Sequence, residues 1–355
     1  MINFQIRPDT LTEEMLEYSR KLGHGIENLI DAGDIDTGVT ARTPVYHEDK
    51  LVLYRYNQPE NRKSSNVTPL LIVYALVNRP YMTDIQEDRS TIRGLLETGQ
   101  DVYLIDWGYP DGADFSLSMD DYINGYIDRC VEHICESHGL DSINVLGICQ
   151  GGTFSLCYTS SHQEKVRNLV TMVTPVDFHT PNDMLSKWVK HIDIDLLVDT
   201  VGNIPGELLN WTFLSLKPFS LTGQKYVNMV DLLDDSKKVK NFLRMEKWIF
   251  DSPDQAGETF RQFIKDFYQN NALIAGEVEI GNTKIDLANI TCPVLNIYAL
   301  QDHLVPPAAS TPLGGLVGSD DYSEQAFPGG HIGIYVSGRA QKELTPAIGS
   351  WLNER

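Results

Sequence analysis

The sequence predicts a mostly parallel β-sheet covered by helices on both faces, interrupted late by a helical insertion. Three observations carry this. Short apolar runs alternate with segments of helical spacing through the first half of the chain and again near the end. One of these runs ends in Gly147-Ile148-Cys149-Gln150-Gly151, a glycine-flanked turn that leads into a helix-compatible segment at 153–159. Between the two alternating stretches lie about a hundred residues, 177–275, with helical character and many aromatic side chains.

In chain order, Leu11, Met15, Tyr18, Leu22, Ile26 and Leu29 recur at helical spacing, so 11–32 reads as an amphipathic helix that Thr10 can begin. Leu51–Tyr56 and 70–76 read as early strands around a polar loop at 57–68, and 101–107 as the next strand. Ser118-Met119-Asp120-Asp121 is a capped helix start. Tyr122, Tyr126, Cys130, Val131 and Ile134 continue its apolar stripe towards Gly139. Ile143–Ile148 is a buried strand, 169–174 another and 293–300 a late one. After Pro175 the rhythm breaks, and it resumes near Lys284. This gives an N-terminal helical arm at 1–33, a core at 34–176 and 283–355, and a mainly helical cap, or lid, at 177–282. Most of the cap aromatics (Trp188, Trp211, Phe213, Phe242, Trp248, Phe250, Phe260, Phe263, Phe267) are expected to form its own core.

The turn at Cys149 has a chemical reading. A strand that reverses sharply into a helix holds one residue on strained backbone at the carboxyl edge of the sheet, and glycines two positions to either side leave room for the reversal. The N–H of Gln150 then points at a reacting carbonyl oxygen, and the helix N-terminus favours a thiolate. This is the nucleophile elbow of the α/β-hydrolase fold, with cysteine in place of serine. The plainer reading makes Cys149 a small apolar residue in a glycine-rich turn. Two later residues arrive in the order that this fold uses: Asp302, in Gln301-Asp302-His303 after a strand, and His331, in Phe327-Pro328-Gly329-Gly330-His331-Ile332-Gly333. Singly they read as a turn cap and a loop histidine; in this order with Cys149 they read as acid and base of a triad. His303, adjacent to the acid, reads either as a support or channel residue beside the triad or as purely structural. His133, His138 and His162 fall on helical surfaces or ends and receive no role.

Composition narrows the classes. Net charge is −20, from 49 acidic against 29 basic residues, which argues against nonspecific binding to nucleic acid or anionic membrane. An anionic substrate would need a local basic patch that the sequence does not reveal. No apolar run reaches the ~18 residues of a membrane span, and the N-terminus lacks the layout of a secretion signal. The five cysteines (Cys130, Cys135, Cys149, Cys157, Cys292) are odd in number and show no zinc-type pairing, so a reduced, cytoplasmic compartment and no metal are expected.

From its start to Trp351 the chain resembles the catalytic subunit of class III polyhydroxyalkanoate (PHA) synthases. The segments that carry the resemblance are LLIVYALVNRPYMTDI at 70–85, DVYLIDWGYP at 101–110, GICQGG at 147–152, GNIPGELLNW at 202–211, ALQDHLV at 299–305 and FPGGHIG at 327–333. The resemblance implies polymerisation of short-chain (R)-3-hydroxyacyl-coenzyme A (CoA) thioesters to polyester, with CoA as product and no resident cofactor. It implies a separately encoded accessory subunit, a homodimer or hetero-oligomer, and storage granules in the cytoplasm as the site of action. It makes Cys149 the acylated nucleophile, Asp302 the acid and His331 the base. The N–H groups of Gln150 and Val77, the latter in the loop after an early strand, then meet the oxyanion. The cap is expected to cover Cys149 at rest and to move when a partner binds. Two other classes fit less of the sequence: a cysteine hydrolase similar to dienelactone hydrolases, and a non-catalytic granule scaffold.

Overall fold

The structure, a computed structural model, describes residues 35–58, 68–181, 183–216, 229–233 and 235–355. The helix expected at 11–32 and most of the loop at 57–68 lie outside the described residues. Eight strands make one sheet: β1 (Arg42–Glu48), β2 (Leu51–Tyr56), β3 (Leu70–Val73), β4 (Val102–Asp106), β5 (Ile143–Ile148), β6 (Val166–Met172), β7 (Val294–Ala299) and β8 (Tyr322–Phe327). Their spatial order is β1-β2-β4-β3-β5-β6-β7-β8. β2 pairs antiparallel with both neighbours, and every pairing from β4 to β8 is parallel. Every residue of β3, β4 and β5 is buried. Successive strand residues face opposite sides, so complete burial requires cover on both faces, as the alternation predicts.

Strand order places the site. The chain leaves β3 for β4 on one side, then crosses back to β5 on the other. Such a reversal opens a crevice beyond the carboxyl ends of the two strands. Register keeps those ends level: Val73 lies beside Gly147, Gly147 beside Thr171, Ile148 beside Met172, and Ala299 beside Phe327. The loops after five strands therefore emerge at one edge.

Among the described residues the helices include α1 (Thr91–Glu97), α2 (Asp128–His138), α3 (Gln150–Ser161), α4 (Met184–Val189), α5 (Ile194–Val201), α6 (Ser236–Phe250), α7 (Gly257–Phe263), α8 (Gly333–Val336) and α9 (Gly338–Asn353). α1 begins at Ser90, whose hydroxyl accepts from the Arg93 N–H at 2.9 Å. A wider π-helical turn at Asp121–Ile127 precedes α2, and Gly139, at φ 64°, ends it. No helix of the described residues is long and apolar enough to cross a membrane.

The chain divides into two compact units. The larger takes Thr37–Leu209 and Ser252–Arg355 and holds the sheet. The described part of the smaller is 35–36, 210–216, 229–233 and 235–251. Within it Asp235 caps α6 by accepting from the N–H groups of Lys237 and Lys238 at 3.0 and 3.2 Å. Arg244 and Lys247 donate to the carbonyls of Asp36 and Ile35 at 3.0 and 2.8 Å.

Several boundaries depart from the sequence reading. The strand expected at 70–76 ends at Val73, because the chain leaves the ladder there to form the loop beside the elbow. The one expected at 169–174 is Val166–Met172. β1 and β8 do not stand out in the sequence; both are edge strands with one buried residue between them, Phe327, so neither carries a continuous apolar run. The aromatic segment is only partly self-buried. Phe263, Phe267 and Trp248 are buried, whereas Trp188, Trp211 and Phe250 are exposed.

The contact between α1 and α9 is tight enough to test. A Cβ at Gly94 would lie 2.3 Å from Thr345 Oγ1 and 2.8 Å from Thr345 Cβ. That hydroxyl is fixed by donation to the Gln341 carbonyl at 2.6 Å. Gly94→Ala should therefore destabilise the fold by ~1–3 kcal/mol despite the better helix propensity of alanine. A lower denaturant midpoint with an unchanged slope is the expected result.

Candidate active site

Cys149 stands between β5 and α3 with φ 56° and ψ −123°. Non-glycine residues seldom adopt positive φ, and such a residue holds ~1–3 kcal/mol of local strain that its surroundings must enforce. Here the enforcement is close packing around three glycines. A Cβ at Gly147 would lie 2.5 Å from Gly152 Cα, one at Gly151 2.3 Å from the Val73 carbonyl oxygen, and one at Gly152 1.9 Å from Thr174 Oγ1. The Cys149 N–H donates to the Met172 carbonyl at 2.9 Å, and its carbonyl accepts from Gly152 and Thr153 at 2.9 and 3.2 Å. Asn78 and Val173, in the loops after β3 and β6, also have positive φ, at 60° and 46°. Strain is thus gathered at the edge where the loops converge.

Asp302 and His331 come from neighbouring strand ends. Asp302 follows β7, and His331 follows β8. The two loops are tied by backbone bonds, Leu300 N–H to the Phe327 carbonyl and Gln301 N–H to the Gly329 carbonyl, both at 2.8 Å. His331 Nδ1 lies 2.7 Å from Asp302 Oδ2. Asp302 Oδ1 accepts from the N–H groups of Leu304 and Val305 at 2.8 and 2.9 Å. The carboxylate therefore caps a turn and holds the imidazole at once, so the two readings of Asp302 coexist. Burial alone would depress the His331 pKa. The charges of Asp302 and Cys149, and a hydrogen bond of the ring to each, outweigh burial and raise it from 6.5 to about 10. Cys149, His331 and Asp302 thus form one connected line. His303 lies half-buried in the turn beside Asp302; the ring that takes the carboxylate is His331.

The loop after β3 faces the start of α3. The Leu76 N–H donates to Gln150 Oε1 at 3.1 Å, and Trp107 Nε1 donates to the Tyr74 carbonyl at 3.0 Å. Arg79 anchors the loop to β4 through Asp106 and the Gly108 carbonyl, each at 2.8 Å. Neither the Val77 nor the Gln150 backbone N–H has a hydrogen-bond acceptor among the described residues. Both donors are therefore unused within the described residues.

The larger unit also holds an aromatic cluster. Phe154 of α3 packs edge-on against Phe263 at 5.9 Å, and Phe178 meets Phe263, Phe267 and Tyr268 at 6.1, 5.4 and 4.9 Å. Asp302 and His331 are buried, at 7% and 5% exposure, whereas Cys149 is half-buried. Burial raises the thiol pKa of Cys130, Cys135, Cys157 and Cys292, which suits packing. Sequence reasoning missed Tyr74 and Tyr335, whose hydroxyls meet at 3.2 Å beside this site. The only local signal was the position of Tyr335, one helical turn past His331.

Residues 68–337 match the family model of the alpha/beta hydrolase fold. The chain is 75% identical to the poly(3-hydroxyalkanoate) polymerase subunit PhaC of Allochromatium vinosum, over 100% of both chains. It is 73% identical to that of Thiocystis violacea, over 99% of this chain and 98% of the relative. Among solved structures, the monoacylglycerol lipase of Paleococcus ferrophilus shares the fold at a TM-score of 0.52 and 16% identity, covering 86% of this chain and 99% of the lipase.

The raised His331 pKa links stability to pH. Below about pH 6.5 the imidazole is protonated in both folded and unfolded chains, and its stabilising contribution is complete. That contribution is lost as pH rises towards the folded value of about 10. Denaturant unfolding across this window should show a decline in wild type that is much smaller in His331→Gln. Parallel profiles would contradict the coupling.

Proposed function

The chain belongs to the α/β-hydrolase family and, within it, to the poly(3-hydroxyalkanoate) polymerase PhaC subunits, and from this we propose that it polymerises (R)-3-hydroxyacyl-CoA thioesters through an acyl intermediate on Cys149. The observation that carries the proposal is the line Cys149–His331–Asp302, built on a strained elbow at the carboxyl edge of the sheet.

The chemistry follows from that line. His331 takes the Cys149 proton, and the thiolate attacks the thioester carbonyl carbon. The oxyanion is met by the N–H groups of Gln150 and Val77. The bond to the CoA sulfur breaks, and His331 returns the proton to that sulfur, which leaves as the free thiol. An acyl group now rides on Cys149 as a thioester. The 3-hydroxyl of another hydroxyacyl unit attacks this carbonyl while His331 takes its proton and Asp302 holds the ring. The new ester bond forms, and Cys149 departs to accept the next acyl group. Thioester exchange is close to thermoneutral, so cysteine can hold acyl groups without trapping them. Water at this point would end the chain as a free acid. Water exclusion is therefore part of the proposal.

The remaining features follow from the same reading. Short-chain monomers, an accessory subunit, granules in the cytoplasm and catalysis without a resident cofactor are part of the proposal. A cap over 177–282 that uncovers Cys149 on partner binding reconciles dryness with polymer exit. His303 supports the Asp302 turn.

Purified chain with 3-hydroxybutyryl-CoA, followed for CoA release and product size, tests the function. Polymer is expected; free acid alone would indicate a hydrolase, and no release a scaffold. Cys149→Ala should reduce CoA release to background in a folded chain. Asp302→Asn should slow elongation by roughly 10³-fold or more while acylation falls far less, because a hydroxyl depends more on an oriented base than a thiol does. Equal losses in single-turnover acylation and steady-state polymerisation would count against these roles.

A further inference from the structure

Tyr74 and Tyr335 lie beside the triad with no part in the chemistry described above. Tyr74 is the first residue after β3, and its backbone abuts the elbow: a Cβ at Gly151 would lie 2.6 Å from the Tyr74 carbonyl. Tyr335 lies on α8, and its own carbonyl accepts from Thr91 Oγ1 at 2.6 Å. The two hydroxyls are 3.2 Å apart, and the rings meet edge to face, with centroids 6.1 Å apart at 86°. Each side chain is 3% exposed.

Donor accounting leaves one group over. A phenol carries one O–H, so the mutual bond uses one donor of two. The second O–H has no acceptor among the described residues. A buried donor without an acceptor is unfavourable, which is a reason to look for a ligand atom. Burial raises both phenol pKa values, and charge on Cys149 acts in the same direction on each, so both stay neutral donors. The backbone contact of Tyr74 with Gly151, and the position of Tyr335 four residues after His331, set the pair beside the elbow and the triad base.

We infer that the Tyr74–Tyr335 pair donates its free O–H to the 3-oxygen of the acyl group on Cys149, and so selects 3-hydroxyacyl over plain acyl thioesters. The inference rests on the proposed acyl-Cys149 chemistry. The carbonyl oxygen of that group already has the Gln150 and Val77 N–H groups, which leaves the 3-oxygen as the polar atom in need of a partner. A donor suits it in both its forms, because a hydroxyl oxygen in the monomer and an ester oxygen in the growing chain each accept.

The test compares single-turnover CoA release from 3-hydroxybutyryl-CoA and from butyryl-CoA, which lacks the hydroxyl, in the full chain. Wild type, Tyr74→Phe, Tyr335→Phe and the double variant are measured. Wild type should favour the hydroxylated substrate. The double variant should narrow that preference by about tenfold, through loss on 3-hydroxybutyryl-CoA with the butyryl-CoA rate little changed. At least one single variant should share the loss. A preserved ratio in the double variant, or equal losses on both substrates, would overturn the inference and assign the pair to packing of the His331 loop. If wild type releases CoA from neither thioester, the acyl-Cys149 proposal falls, and the inference with it.

Discussion

One residue held in a conformation it would not choose organises this site. Cys149 sits at positive φ because three neighbouring glycines let β5, α3 and the loops after β3 and β6 approach more closely than any side chain would allow. The same closeness brings the loop after β3 against the start of α3, where the Leu76 N–H meets Gln150 Oε1. A methyl group at Gly151 would meet the backbone of β3, which cannot move without disturbing the sheet. The elbow is therefore a property of sheet packing, and the loops merely complete it.

Electrostatics then follows from enclosure. His331 is buried, and an isolated buried imidazole would be neutral; Asp302 and Cys149 reverse that. The carboxylate is fixed by two backbone N–H groups as well as by the ring, so it orients His331 without needing further side chains. Little of this is open to water. That restriction suits acyl transfer to a hydroxyl, for which water is the competing nucleophile.

Much of this was legible in the sequence, for identifiable reasons. The sequence predicts Ile143–Ile148 with its observed boundaries because a short, mostly apolar run before a glycine turn leaves few alternatives. Asp302 and His331 were read because chain order and loop chemistry single them out. The strand at 70–76 was read too long, since Tyr74, Ala75 and Leu76 are apolar and buried yet serve the crevice rather than the ladder. β1 and β8 escaped notice because edge strands need no continuous apolar signal. Beyond its position four residues after His331, Tyr335 gives no sign of its role, for a deeper reason. Its partner Tyr74 lies 261 positions away in the chain, and no local pattern encodes a contact of that kind.

The central claim is that the acyl group is carried on Cys149, and one measurement addresses it directly. The full chain is mixed briefly with 3-hydroxybutyryl-CoA, quenched in acid to preserve thioesters, digested and examined by mass spectrometry. The account predicts the mass of 3-hydroxybutyryl units on the peptide that contains Cys149, released by hydroxylamine. Acylation of a different residue, or turnover to products with no acylated peptide at any quench time, would contradict it.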